Sequence, residues 1–233
     1  MLAVPLLLGV LVSRPSPWQA VLLVAAVAGY LASAAGLDWI RARRGSYLRR
    51  AAAFGAIFVG GALALAVAFP ELLGTIVVLG PAAIVLVREA ARGRPRSLAP
   101  SLAQVVQAVV LVPAAAVVSG TVDPSTVARA TLVAALYLVG SVLVVRSMIR
   151  ERGDRRFHGV SVVYHAAAAV VEAWLLPWAY AALALAFALR AAGLPLLQAR
   201  LADGPHRLRP IHLGLLEIAC SIALVLTVLF VRL

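Results

Sequence analysis

Nine apolar runs, separated by charged or proline-containing breaks, account for nearly all of the 233-residue chain: Met1–Ser13, Pro17–Leu37, Ala51–Phe69, Leu72–Val87, Leu98–Val122, Ser125–Val145, Gly159–Leu176, Trp178–Leu197 and Pro210–Val231. A helix needs about 20 mostly apolar residues to cross a hydrocarbon core of about 30 Å. The pattern predicts an all-α polytopic membrane protein, a bundle of about nine transmembrane helices. No gap between the runs holds a soluble domain, so residues 1–233 are read as a single integral membrane domain. The 64% hydrophobic and 13% charged residues, with a mean hydropathy of +1.02, leave too little polar surface for a soluble enzyme and too much apolar surface for a disordered chain.

Turn chemistry marks alternate breaks: Arg14-Pro-Ser-Pro, Pro70-Glu71, Asp123-Pro-Ser and Leu176-Pro-Trp. These breaks hold almost no arginine. The others hold Arg41, Arg43, Arg44, Arg49 and Arg50; then Arg88, Arg92, Arg94 and Arg96; then Arg146, Arg150, Arg152, Arg155 and Arg156; then Arg200, Arg207 and Arg209. With Arg190, near the end of the eighth run, 18 arginines fall on one side against Arg14, Arg129 and Arg232 on the other. Cytoplasmic loops concentrate basic residues, which predicts a cytoplasmic N-terminus and an outer C-terminus. The same rule accounts for the net charge of +12 without invoking nucleic acid. The lone Cys220 offers neither a disulfide nor a cysteine metal site, and no metal or other cofactor is expected.

The first run is too short to cross, since 13 residues at about 1.5 Å each cover less than about 20 Å. With neither a basic segment before it nor a small-residue cleavage site after it, the expectation is that residues completing this helix precede Met1. Ile40-Arg-Ala-Arg-Arg-Gly45 and Ile149-Arg-Glu-Arg-Gly153 follow the second and sixth runs at an offset of 109 residues. That offset fits a parallel four-helix repeat plus a ninth helix, with chance likeness in an arginine-biased chain as the alternative.

The run from Tyr137 to Gly153, which contains Met148-Ile-Arg-Glu-Arg-Gly153, is followed by Tyr164-His165 and then by Arg209-Pro-Ile-His-Leu-Gly214-Leu-Leu-Glu217-Ile. Together with Pro5-Leu-Leu-Leu-Gly9, these stretches resemble the YwiC-like family of bacterial membrane proteins. The resemblance implies a bacterial cytoplasmic membrane and no established activity. The family's His-Gly-Ala-Trp run, expected just before Met1, is not in this chain. Nine spans with charged loops after the second and sixth also resemble UbiA-type prenyltransferases. The Asp-rich, Mg²⁺-holding motifs of that superfamily do not carry over, because the two loops offer only Asp38, Glu151 and Asp154 among many arginines.

Candidate functional groups are few. Arg41 and Arg43, with Arg146, Arg150 and Arg152, could line a phosphate-binding mouth, since a guanidinium forks onto an anion. The bland alternative is a topology signal resting on anionic head groups. Glu151 and Asp38 are placed for helix-end ion pairs with Arg155 and Arg41. Glu217, about 10 Å into the last run, and His165 at a similar depth are the candidate catalytic pair. Tyr164 and His212 are candidate ligand contacts. Glu172, near an outer end, reads as solvated, and Gln104 and Gln107 read as interhelical hydrogen-bond glue. Trp18, Trp39, Trp174 and Trp178 fit an interfacial belt. The favoured expectation is a cytoplasmic arginine-rich mouth holding an anionic lipid or isoprenoid phosphate, roofed by Arg150, Glu151 and Arg152 above His165 and Glu217. A proton-coupled solute transporter and a non-catalytic membrane assembly factor are the alternatives. Oligomeric state is not legible.

Overall fold

The computed structural model of the chain describes residues 2–120, 123–201, 210–231 and 233. Arg207, Arg209 and Arg232, counted above for topology, and Met1 lie outside the described residues. The order is α1 (Ala3–Leu11), α2 (Pro17–Ala42), α3 (Gly45–Ala68), a 3₁₀ turn (Pro70–Thr75), α4 (Ile76–Ala91), α5 (Leu98–Val109), α6 (Leu111–Val117), α7 (Pro124–Ile149), α8 (Arg155–Leu175), α9 (Trp178–Arg200) and α10 (Pro210–Phe230). Among the described residues there is no strand.

Seven segments are long and apolar enough to cross a membrane: Pro17–Ala42, Gly45–Ala68, Pro70–Ala91, Leu98–Val117, Pro124–Ile149, Trp178–Arg200 and Pro210–Phe230. Two of the nine expected spans fall outside this set. The nine residues of α1 cover only about 13 Å at helical rise. The 21 residues of α8 are long enough, but Arg155, Arg156, His158, His165 and Glu172 make that helix less apolar.

The chain divides into two compact units, Met1–Ala134 and Ala135–Leu233, so that α7 contributes to both. In the first, α2 begins with a capping box: Ser16 Oγ accepts from Trp18 N at 3.3 Å, and Ser16 N donates to Gln19 Oε1 at 3.2 Å. The helix ends at Arg43, whose φ of 52° is a left-handed turn. Only Arg43 and Arg44 separate α2 from α3, so Arg41, Arg49 and Arg50 lie in helix ends and not in a loop. The resulting hairpin packs through small residues. A Cβ on Gly29 would lie 2.8 Å from Phe58, and one on Gly61 would lie 3.0 Å from Ala25. Pro113 has no N–H to offer the Val109 carbonyl, and the helix is interrupted at Val110 between α5 and α6. α1 packs on α6, with Gly9 against Val112 and Ala115. The interhelical amide link here is Gln19, which donates to Ser13 Oγ at 2.8 Å and to the Ala115 carbonyl at 3.4 Å. Gln104 and Gln107, expected in that role, make no hydrogen bond among the described residues.

In the second unit α8 starts on Asp154, whose carboxylate accepts from the N–H groups of Arg156 (2.8 Å) and Phe157 (3.2 Å). Its buried face is Ser161, His165, Ala168 and Glu172, one stripe at helical spacing. α8 packs on α9, and α9 on α10. Large apolar side chains point outward elsewhere; Trp174 and Trp178, flanking the α8–α9 turn, are 85% and 82% exposed, as a lipid-facing belt requires.

Candidate functional site

Three helices of the second unit bring polar groups together below their arginine-bearing ends. Counting at helical rise, Glu217 lies about 10 Å from the start of α10, Ser141 about 12 Å from the end of α7, and Arg190 about 15 Å from the end of α9. Arg190 Nη1 donates to Glu217 Oε1 at 2.7 Å and to Cys220 Sγ at 3.1 Å, and its guanidinium lies 5.4 Å from the Phe187 ring centroid. Ser141 Oγ donates to Glu217 Oε2 at 2.5 Å. Both carboxylate oxygens are therefore engaged, which a buried charge needs. One turn deeper, the Tyr137 hydroxyl lies 2.7 Å from Ser221 Oγ and 3.2 Å from the Glu217 carbonyl.

Arg190 also faces a small cavity of about 10 Å³, lined with it by Leu136, Tyr137, His165, Ala168, Glu172, Ala184 and Phe187. His165 is held there by its Nδ1, 2.7 Å from the Ser161 carbonyl, and by the absence of a side chain on Gly140, where a Cβ would stand 2.7 Å from Nε2. Tyr164 packs edge-on against His165, ring centroids 5.7 Å apart, and donates to the Leu136 carbonyl at 3.1 Å.

Glu217 thus takes Arg190 as its partner, and His165 meets the cluster only across the cavity that Arg190 also lines. A permanent cation is the stronger partner for a carboxylate away from water, and α9 supplies one at the right depth. Arg190 was counted above as a topology residue; its side chain is 8% exposed and it belongs to the site. Glu172, expected to be solvated, is buried because it continues the stripe of α8 that faces α9. Glu151 pairs with Arg146 at 2.6 Å and not with Arg155. α7 stops at Ile149 and Gly153 turns at φ 83°, so no helix aligns Glu151 with a residue four ahead. The Arg146 guanidinium lies 5.9 Å from the Phe157 ring centroid. Arg150, Arg152 and His212 are exposed near the same helix ends.

In the first unit a cleft of about 530 Å³ is lined by Arg41, Gly93, Arg94, Pro95, Arg96 and Ser97. Its wall is built on Glu89, buried at the end of α4, which accepts from Arg92 (3.4 Å), Arg94 (3.4 Å) and Ser97 Oγ (3.1 Å). The Arg94 N–H donates to the Glu89 carbonyl at 2.9 Å, and Gly93 at φ 70° turns the chain back over the helix end. Arg41 pairs with Asp38, as its spacing predicts. Arg43 lies instead over Trp39, 5.1 Å from the ring centroid.

Residues 1–116 match the family model described as YwiC-like protein. By this half of its length the chain belongs to the YwiC-like family. The match takes in Pro5–Gly9 and the whole Arg41–Ser97 cleft, whereas the stretches between Tyr137 and Ile218 that also carry the resemblance lie beyond it. No curated protein and no solved structure matches the chain. The likeness to UbiA-type architecture rests on the sequence pattern alone.

The signal for Arg190 was its position ten residues inside an apolar helix, short of the arginine cluster it was counted with. Glu89 carried a similar signal, a carboxylate one turn before an arginine-rich turn.

Proposed function

We propose that this YwiC-like membrane protein binds an anionic, phosphate-bearing lipid or isoprenoid head group at the arginine-lined cleft of its first unit. The observation that carries this reading is the cleft itself. Arg41, Arg94 and Arg96 line about 530 Å³ at helix ends that the positive-inside rule assigns to the cytoplasmic leaflet. Buried Glu89 accepts from the Arg94 guanidinium and from Ser97 Oγ on either side of Arg96, so the basic wall is ordered by a side chain below it. A guanidinium forks onto phosphate oxygens, and a head group entering from the membrane plane would leave its acyl chains against the apolar helix faces. Arg43, at the end of the same helix as Arg41, would then act as an outer basic group.

Native mass spectrometry of the detergent-purified protein tests this. The wild type should retain anionic lipid, and Arg94→Gln with Arg96→Gln should lower that occupancy severalfold, while Arg49→Gln, an exposed arginine outside the cleft, should not. Equal loss in both variants would reduce the effect to overall charge.

A second reading, proton-coupled movement of a small solute through the second unit, is favoured by the buried Arg190, Glu217, His165 and Glu172. Ionisable side chains inside membrane segments commonly mark ion or proton paths.

A further inference from the structure

We propose that the Nε edge of Arg190 is a binding site for one small monovalent anion of about the size of chloride, taken up together with a single proton. The inference concerns the second unit and is independent of the head-group cleft; it gives the transport reading a solute.

Arg190 is more than nine-tenths buried, and both of its hydrogen bonds leave from Nη1, to Glu217 and Cys220. Its Nε is buried with no hydrogen-bond partner among the described residues. A guanidinium keeps its charge at any ordinary pH and holds its donors in a rigid fork, so this edge cannot turn to find a partner. A buried donor left unmade is costly and calls for an explanation.

The same residue lines the cavity with Tyr137, His165, Glu172 and Phe187, and that cavity is the space in which a partner for the guanidinium can sit. About 10 Å³ is room for one water-sized body. A carboxylate or phosphate group is too large. A monoatomic anion is the anion nearest to that size, and the guanidinium supplies the positive potential to hold it.

Charge balance adds the proton. Arg190 and Glu217 together are neutral, so an added anion would leave one uncompensated negative charge in a low-dielectric interior. The titratable groups around Arg190 are Tyr137 on α7, His165 and Glu172 on α8, and Glu217 and Cys220 on α10. Glu217 and Cys220 both touch the guanidinium, and of the two Glu217 is the carboxylate that balances its charge. Protonated, it reverses its hydrogen bond with Ser141 Oγ, 2.5 Å away, and becomes the donor, while Arg190 transfers its charge compensation to the anion. The proton therefore goes to a Glu217 carboxylate oxygen, the anion to the Nε side, and the net charge of the cluster is unchanged.

Chloride titrated into the purified protein in gluconate buffer at fixed ionic strength, followed by calorimetry over a series of pH values, tests this. The wild type should bind chloride with a Kd that rises about tenfold per pH unit on the alkaline side, the slope linkage requires for one proton. Glu217→Gln, which mimics the protonated acid, should bind more tightly with no pH dependence. His165→Gln should keep the wild-type slope. Arg190→Gln should lose binding. Wild-type protein that does not distinguish chloride from gluconate at any pH overturns the proposal, as does a wild-type slope retained in Glu217→Gln; the latter test stands even if Arg190→Gln does not fold. Binding without chloride-driven proton uptake in vesicles would end only the transport reading.

Discussion

Arg190 on α9 and Glu217 on α10 meet at 2.7 Å with side chains 8% and 16% exposed, in a unit that also buries His165 and Glu172. Removing one member leaves a buried charge uncompensated, which costs about 3–5 kcal/mol, while replacing both with neutral residues of similar shape costs far less. Glu217→Leu and Arg190→Leu should each lower the denaturation midpoint in detergent sharply, and the double variant should recover much of the loss. Additive losses would show that the two side chains act separately.

Gly140 and Gly159 form a matched pair of tests. A methyl on Gly140 would stand 2.7 Å from His165 Nε2, whereas one on Gly159 meets nothing within 4 Å. Gly140→Ala should displace the imidazole and cost about 1–3 kcal/mol. Gly159→Ala, in an exposed helical position, should be neutral or stabilise by about 0.5–1 kcal/mol. Thermal unfolding of the two variants side by side checks both signs.

Asp123 caps α7 from outside the membrane segments. Its carboxylate accepts from the Ser125 and Thr126 hydroxyls and from both of their N–H groups, which holds its pKa down to about 2 from an ordinary 3.8. A depressed carboxylate stabilises the fold above its unfolded pKa and loses that contribution as pH falls through the folded one. Hydrogen-exchange protection in the first turn of α7 should therefore hold down to about pH 4 and decline toward pH 2. Asp123→Ala should show reduced protection at every pH in that range.

The helical architecture was legible because hydrophobic run length and turn chemistry act locally: Ser16, Asp123 and Asp154 cap helices where the chain breaks. Spans were harder to count, since α8 carries Arg155 and Arg156 at its start and buries His165 and Glu172, and α5–α6 hides a break at Pro113. Glu217 and His165 stood out as polar groups in apolar runs. Their partners did not, because which helix faces which is a property of tertiary packing. In the sequence Arg190 reads as one more member of a basic cluster and Glu172 as solvated, because neither shows that the buried stripe of α8 packs on α9. Arg94 and Arg96 were visible as charge, while the cleft they line depends on the buried Glu89 beneath them.

The head-group reading of the Arg41–Arg96 cleft turns on the arginine-bearing helix ends facing the cytoplasm, and the protein's single cysteine, the buried Cys220, makes that directly measurable. Ser46→Cys, in the exposed first turn of α3, and Glu71→Cys, in the exposed 3₁₀ turn at the other end of that helix, place one new thiol at each face. With a membrane-impermeant maleimide on intact cells, Glu71→Cys should label and Ser46→Cys should label only after permeabilisation. The reverse pattern would put the arginines and their cleft outside the cell and contradict the account.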